Sequence, residues 1–175
     1  MFLDTISIGE KAPEVVNAVV EIQKGSRNKY ELDEKTGVIV LDRVIFSAMH
    51  YLTDYGFIPE TRSEDGDNLD VLIFGGDSVF PGCVLRVRPV GLLKMIDTGK
   101  EDFKILGVQA DNPNLDGIKE LKDVKNVNPG FLEEIEHFFE LYKYPQNKEV
   151  EIKGWGDYGE ALNEIERARK MFLQK

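Results

Sequence analysis

The first two-thirds of this chain are cut into short apolar runs by turn residues, and the last third changes to helical spacing. Val15 to Ile22 is an apolar run apart from Asn17 and Glu21. Tyr30-Glu31-Leu32 and Val38-Ile39-Val40-Leu41 flank Asp33-Glu34-Lys35-Thr36-Gly37, a turn segment closed by glycine. These two runs are expected to pair as a hairpin. Further short strands are expected at Val71–Phe74, Cys83–Val90, Leu92–Ile96 and Lys104–Val108, each bounded by turn-rich sequence. Many short strands punctuated in this way suggest a small barrel or sandwich. Asn128-Pro129 then reads as an N-cap followed by proline at the first helical position. Leu132, Ile135, Phe138, Phe139 and Tyr142 recur behind it at helical spacing. A second helix is expected from Asp157, with Glu160 placed for a capping box. Its apolar stripe is Leu162, Ile165, Ala168, Met171 and Phe172. The expected class is α+β, a small β-barrel with flanking C-terminal helices.

A chain of 175 residues can bury a core without disulfides. No internal repeat, low-complexity tract or linker composition interrupts it, so residues 1–175 read as a single domain. Met1 to Glu14 lacks a basic region followed by an apolar run, so no signal peptide is expected. No apolar stretch approaches the roughly 20 residues needed to span a bilayer. Cys83 is the only cysteine and cannot form an internal disulfide, which suits a reducing cytoplasm. Its apolar setting, Cys83-Val84-Leu85, favours a structural role.

The net charge of −10 argues against nucleic acid as a partner, because phosphate backbones are bound through Lys and Arg. On charge alone it also argues against any anionic substrate. That objection fails only where bound cations reverse the local field.

Asp65, Asp67 and Asp70 crowd three carboxylates into six residues ahead of Val71-Leu72-Ile73-Phe74. Such a cluster needs solvent or a cation, and alone it reads as a solvated turn. An EF-hand loop starting at Asp65 needs Gly at its sixth position and Glu at its twelfth, where this chain has Asp70 and Gly76. That reading fails. A second acidic turn, Asp97-Thr98-Gly99-Lys100-Glu101-Asp102, lies between two expected strands. Two carboxylate-bearing loops at strand ends can converge on one rim of a barrel. Hard oxygen ligands without His or Cys favour magnesium, which keeps several waters and is completed by substrate phosphate. His50 and His137 stand apart and read as structural.

The cations interleave with these acids. Lys29 and Glu31 share a strand face. A hairpin turn near Glu34-Lys35 brings Arg43 close to Arg27 and Lys29, although ordinary cross-strand pairing explains this equally well. Lys104 follows Asp102 at the same spacing as Lys29 and Glu31. Lys143 ends the first helix, where a cation offsets the helix dipole. Each has a plain explanation. As a set they suit a site that holds metal ions and a polyanion together.

With these motifs the chain resembles the family I soluble inorganic pyrophosphatases, of the short prokaryotic type. The resemblance runs from about Val15 to Phe172. It rests on the acidic loop and on Val20-Glu21-Ile22, Lys29-Tyr30-Glu31, Asp42-Arg43, Tyr51 with Tyr55-Gly56, Arg88-Pro89-Val90-Gly91, Lys94-Met95 with Asp97, Asp102 with Lys104, His137-Phe138-Phe139-Glu140 with Tyr142-Lys143, and Gly154-Trp155. It implies a five-stranded OB-like barrel that hydrolyses pyrophosphate with several magnesium ions per site. By the same resemblance Asp65, Asp70 and Asp102 match ligands of a first metal, and Asp70 bridges to a second. Asp97 and Asp102 match ligands of a metal arriving with substrate, and Glu31 acts largely through water on another. Asp67 matches the group that accepts the proton of the attacking water. Lys29, Arg43, Lys104, Tyr142 and Lys143 match phosphate ligands. Tyr55 lies beside the nucleophile, and Glu21 has a supporting role. The short members are homohexamers, so a cytoplasmic homohexamer is implied.

The chain departs from the family at three places. Asn68 and Leu52 stand where proline is frequent, which should loosen a loop or strand end without removing a ligand. Thr98 stands where some members carry Glu, and Glu101 is not expected to compensate. Two other functions stay open at this level. One is a non-catalytic OB-like module binding metal or ligand, because fold does not fix function. The other is a phosphohydrolase acting on longer polyphosphates or nucleotides. An OB-type nucleic-acid binder needs a positive groove with stacking aromatics, and these loops are acidic.

Overall fold

The computed structural model describes residues 5–33, 35–146 and 149–174. The strands are β1 (Val16–Ile22), β2 (Asn28–Asp33), β3 (Val38–Val44), β4 (Asp54–Ile58), β5 (Leu69–Phe74), β6 (Val84–Asp97), β7 (Lys100–Glu101), β8 (Lys104–Gln109) and β9 (Val150–Gly156). The helices are α1 (Leu121–Val127), α2 (Phe131–Leu141) and α3 (Tyr158–Leu173). β1 pairs with β4, β4 with β5, β5 with β8, β8 with β6, and β6 returns to β1. Five strands therefore close into a ring, with β5–β8 as its parallel pair. This is the OB-like barrel expected from the resemblance. The β2–β3 hairpin stands off the ring with Lys29 opposite Arg43, the pairing anticipated from its turn.

Three expectations need correction. Cys83–Val90 and Leu92–Ile96 are not two strands, because β6 runs unbroken for 14 residues. Its first half closes the ring on β1 and its second half carries β7 and β9. Gly91 is there for close approach: a Cβ would lie 2.3 Å from Leu121 Cδ2. Secondly, Asn128 does not start a helix. It caps the end of α1, and α2 begins after Gly130. Thirdly, β9 lies in the stretch read as helical, and β4 is a strand the pattern does not suggest. Asp54 and Gly56 break its apolar pattern, yet all five residues are buried. A Cβ on Gly56 would sit 1.9 Å from the Val19 carbonyl oxygen, so glycine lets β4 lie against β1.

Alternation along the strands sorts the core and places the site. Leu72, Phe74, Leu106 and Val108 join one cluster with Leu132, Ile135, Phe138 and Phe139 of α2. Leu69, Val71, Ile73 and Ile105 join another with Ala161, Ile165 and Ala168 of α3. The α2-facing stripe turns polar at the strand ends: Asp70 precedes Leu72, Lys104 precedes Leu106, and Asp97 follows Leu93 and Met95. α3 starts at the anticipated capping box. Glu160 N donates to Asp157 Oδ1 at 2.9 Å and Asp157 N donates to Glu160 Oε2 at 3.0 Å.

Candidate active site

The polar strand ends, the acidic loop before β5 and the end of α2 enclose one cleft of about 240 Å³. Asp70 and Lys104 face each other in register across the parallel β5–β8 pair. Lys104 is 1% exposed. Its ammonium donates to Asp70 Oδ2 at 2.6 Å, Asp102 Oδ1 at 2.7 Å and Tyr55 Oη at 3.3 Å. Burial disfavours that charge, but Asp102 and Asp70 outweigh it and hold the ammonium well above its ordinary pKa.

The loop ahead of β5 folds back on itself. Ser63 N donates to the Asp67 carbonyl at 2.8 Å and Gly66 N to the Ser63 carbonyl at 3.1 Å. Asp67 N donates to Asp65 Oδ1 at 3.1 Å. Gly66 has φ of 102°, a conformation that glycine adopts freely and other residues rarely do. This turn faces Asp65 and Asp67 into the cleft together. Burial raises the Asp67 pKa, and neighbouring Asp65 and Asp70 push it further. A carboxylate so perturbed is a better proton acceptor than an ordinary aspartate.

The second acidic turn is a tight hairpin between β6 and β7. Thr98 and Gly99 both have positive φ, at 51° and 83°. That is the pattern of a two-residue primed turn, which β-branched residues rarely enter. Thr98 is held there by its N–H to the Glu149 carbonyl at 3.2 Å and its hydroxyl to Asp97 Oδ1 at 2.8 Å. The residue that departs from the family therefore still touches Asp97. Lys143, just past α2, is hydrogen-bonded to Asp97 Oδ2. Burial opposes the Asp97 charge, but the Lys143 and Thr98 hydrogen bonds hold its pKa below the usual range.

Glu21 is buried and accepts a hydrogen bond from Leu32 N at 2.7 Å, which ties the β2–β3 hairpin to the ring. Burial pushes its pKa up to about 8, with the Leu32 bond opposing and Asp70 adding. Lys29 is paired with Glu31 and lies 3.6 Å from Asp42. The Tyr55 and Tyr142 phenols are pushed up by burial and stay protonated.

All but one of the anticipated residues line this cleft: Glu21, Lys29, Glu31, Tyr55, Asp65, Asp67, Asp70, Asp97, Asp102, Lys104, Tyr142 and Lys143. Arg43 is not among them. It stands opposite Lys29 in the hairpin and donates to Asp42 Oδ2 at 2.9 Å. Tyr51, Phe57 and Phe139 also line the cleft without having been assigned a role. Tyr51 packs its ring 5.4 Å from Tyr55 and 5.1 Å from Phe138. Its place in the family pattern was the available signal. Asn68 faces the cleft as well. Glu101 does not line it and lies 3.7 Å from Arg167 instead.

Seven carboxyl groups and three lysines line the cleft, and none of its described lining residues is His or Cys. Such a donor set suits a hard divalent cation. Among the described residues no three acidic groups converge as a ready cage. Lys104 stands between Asp70 and Asp102, and Lys143 lies on Asp97, so ammonium groups hold the oxygens that a divalent ion would take.

Known proteins resemble this chain in sequence and in fold. The family pattern described as inorganic pyrophosphatase matches residues 18–173. A soluble inorganic pyrophosphatase of Oryza sativa subsp. japonica is 46% identical over 95% of this chain and 77% of its own. An inorganic pyrophosphatase of Haloferax volcanii is 44% identical over 97% of this chain and 94% of its own. The crystal structure of inorganic pyrophosphatase from Thermus thermophilus superposes with a TM-score of 0.92 at 44% identity, covering 99% of each chain. With a closed five-stranded barrel and the acid-lined rim that the sequence placed on it, this chain belongs to the soluble, family I inorganic pyrophosphatases.

Proposed function

We propose that this cleft hydrolyses inorganic pyrophosphate to two phosphates with magnesium as its metal, and that residues 1–175 act as a single catalytic domain. The observation that carries the reading is the convergence of both acidic loops with Lys29, Lys104 and Lys143 on one small cleft. Asp65, Asp70 and Asp102 would hold a first ion, with Asp70 also available to a second. Asp97 and Asp102 would hold one that arrives with substrate, and Glu31 would act through water. Magnesium, when bound, neutralises the carboxylate field and lowers the pKa of the water that attacks.

The remaining work falls to the chain itself. Asp67 takes the proton of the attacking water as its oxygen bonds to phosphorus and the bridging P–O bond breaks. The raised pKa of Asp67 supports that role. Lys104 and Lys143 are counter-ions to Asp70, Asp102 and Asp97. With divalent ions on those carboxylates, both ammoniums would be free for phosphate oxygens beside Lys29 and Tyr142, and Arg43 would add its charge from the hairpin outside the lining. Cations aimed at the leaving phosphate stabilise the charge it gains. Tyr55 positions the nucleophile, and Glu21 supports the hairpin through Leu32 N.

The test is phosphate release from magnesium pyrophosphate. Rapid release is expected, and none from folded protein at millimolar magnesium overturns the reading. Among the described residues no helix is long and apolar enough to cross a membrane. A cytoplasmic homohexamer is part of the proposal. The exposed apolar side chains Val38, Val40, Leu41 and Val44 of β3 support assembly. Sedimentation that finds only monomer at micromolar concentration contradicts it.

A further inference from the structure

Arg167 lies on α3, outside the cleft lining, and its guanidinium reaches carboxylates beside both acidic loops. Nε and Nη2 donate to the two oxygens of Glu164, at 2.9 and 2.7 Å. Nη1 donates to Glu64 Oε1 at 3.4 Å, and Nη2 lies 3.7 Å from Glu101 Oε2. Glu64 immediately precedes Asp65, and Glu101 immediately precedes Asp102. The next residue of α3 holds the first loop through its backbone. Arg62 N donates to the Ala168 carbonyl at 2.9 Å, and Arg62 Nη1 donates to the Gly66 carbonyl at 3.0 Å.

The helix behind these contacts is anchored. Ala161, Ile165 and Ala168 are fully buried, its first turn is capped, and Glu160 is paired with Lys94 of β6. Glu164 is 7% exposed and clamps the guanidinium plane with two bonds. An isolated surface ion pair contributes little, but a planar fork held by a buried partner orients whatever else it meets. The two loops carry like charges toward one cleft and repel each other. A cation fixed to α3 and touching both opposes that separation.

We propose that Arg167 is a positioning residue. It sets the spacing of the two acidic loops, and with it the affinity of the cleft for divalent cations. The inference rests on the cleft being a metal-dependent pyrophosphatase site. Two effects of Arg167 have opposite signs, which makes it testable. Its positive charge alone repels a nearby cation, so neutralising it would tighten metal binding. Its bridging pre-organises the ligands, so losing it weakens metal binding.

The experiment is calorimetric titration of the whole chain with magnesium chloride alone, on the wild type, Arg167→Lys and Arg167→Gln. Melting without metal is recorded in parallel. Lysine keeps the charge but cannot clamp Glu164 and reach both loops. Arg167→Lys is expected to bind magnesium roughly threefold to tenfold more weakly, and Arg167→Gln at least as weakly. The magnesium concentration for half-maximal phosphate release moves in parallel, while the rate at saturating magnesium stays within about twofold. A folded Arg167→Lys that binds like the wild type overturns the proposal. So does an Arg167→Gln that binds more tightly, or a lowered melting temperature with unchanged magnesium isotherms. If the wild type binds magnesium but releases no phosphate, the proposed function falls and the titration still decides Arg167.

Discussion

Asp54 is buried and the rim aspartates are half-buried in the same barrel, and they are satisfied in opposite ways. Asp54 is 4% exposed at the start of β4. Its carboxylate accepts from Lys24 N at 2.8 Å, from Val79 N at 2.9 Å and from the Ser78 hydroxyl. Two of those donors are backbone groups that the fold holds in place. Asp70, Asp102 and Asp97 instead take the ammoniums of Lys104 and Lys143, which sit on flexible stems. A carboxylate that ties loops together is given neutral donors that cannot leave. Under the proposed function, carboxylates that exchange partners are given cations that can leave.

The comparison breaks most visibly at Asp67. Asp67→Asn is expected to slow hydrolysis about 10²–10⁴-fold while leaving folding and magnesium binding intact. Unchanged turnover removes Asp67 from the role of base. Lys104→Met comes next. It leaves Asp70 and Asp102 facing each other without compensation, and loss of one partner of a buried pair costs roughly 3–5 kcal/mol. Metal-free melting should fall sharply, and magnesium should raise it more than in the wild type. An equal magnesium response in both proteins means the ammonium and the divalent ion do not compete for those oxygens.

Glu21 gives a pH signature in the metal-free protein. Its folded pKa of about 8 lies above the ordinary 4.5, so the folded state holds a proton that the unfolded state has released. That contribution is fully present below pH 4.5, is lost as pH rises toward 8, and levels off above it. Across that window it amounts to a few kcal/mol. Urea unfolding at several pH values should show a shallower decline in Glu21→Gln, and identical slopes refute the assignment. The smallest effect belongs to Asp54→Asn. It weakens three hydrogen bonds and should cost about 1–3 kcal/mol of stability, with turnover of the folded protein nearly unchanged. If Asp54→Asn slows hydrolysis as much as Asp67→Asn does, the division between structural and exchanging carboxylates is wrong.

Features carried by a few adjacent residues were legible before the fold. The capping box at Asp157 and Glu160, the hairpin that sets Lys29 opposite Arg43, and the two acidic turns all depend on neighbours in the chain. Other features depended on distant partners and were missed. β4 reads as a loop because Asp54 and Gly56 interrupt its apolar pattern, yet Asp54 finds donors at residues 24, 78 and 79, and Gly56 meets Val19. Asn128-Pro129 carries a start signal, but α1 ahead of it uses Asn128 as its end. Glu101 is not expected to stand in for a missing carboxylate, but the partner it meets instead, Arg167 on α3, depends on the fold.

From sequence alone came the residue types, their order and their local turns, and with the family resemblance the barrel and the reaction. Those follow from strand and helix periodicity and from turn chemistry, which act over a few residues. Which carboxylate meets which cation was decided only in three dimensions. Ring closure brings residues 65–70, 97–104 and 142–143 to one rim, where burial raises the Asp67 pKa and Asp102 and Asp70 hold that of Lys104 up against its burial. Both depend on contacts between segments far apart in the chain.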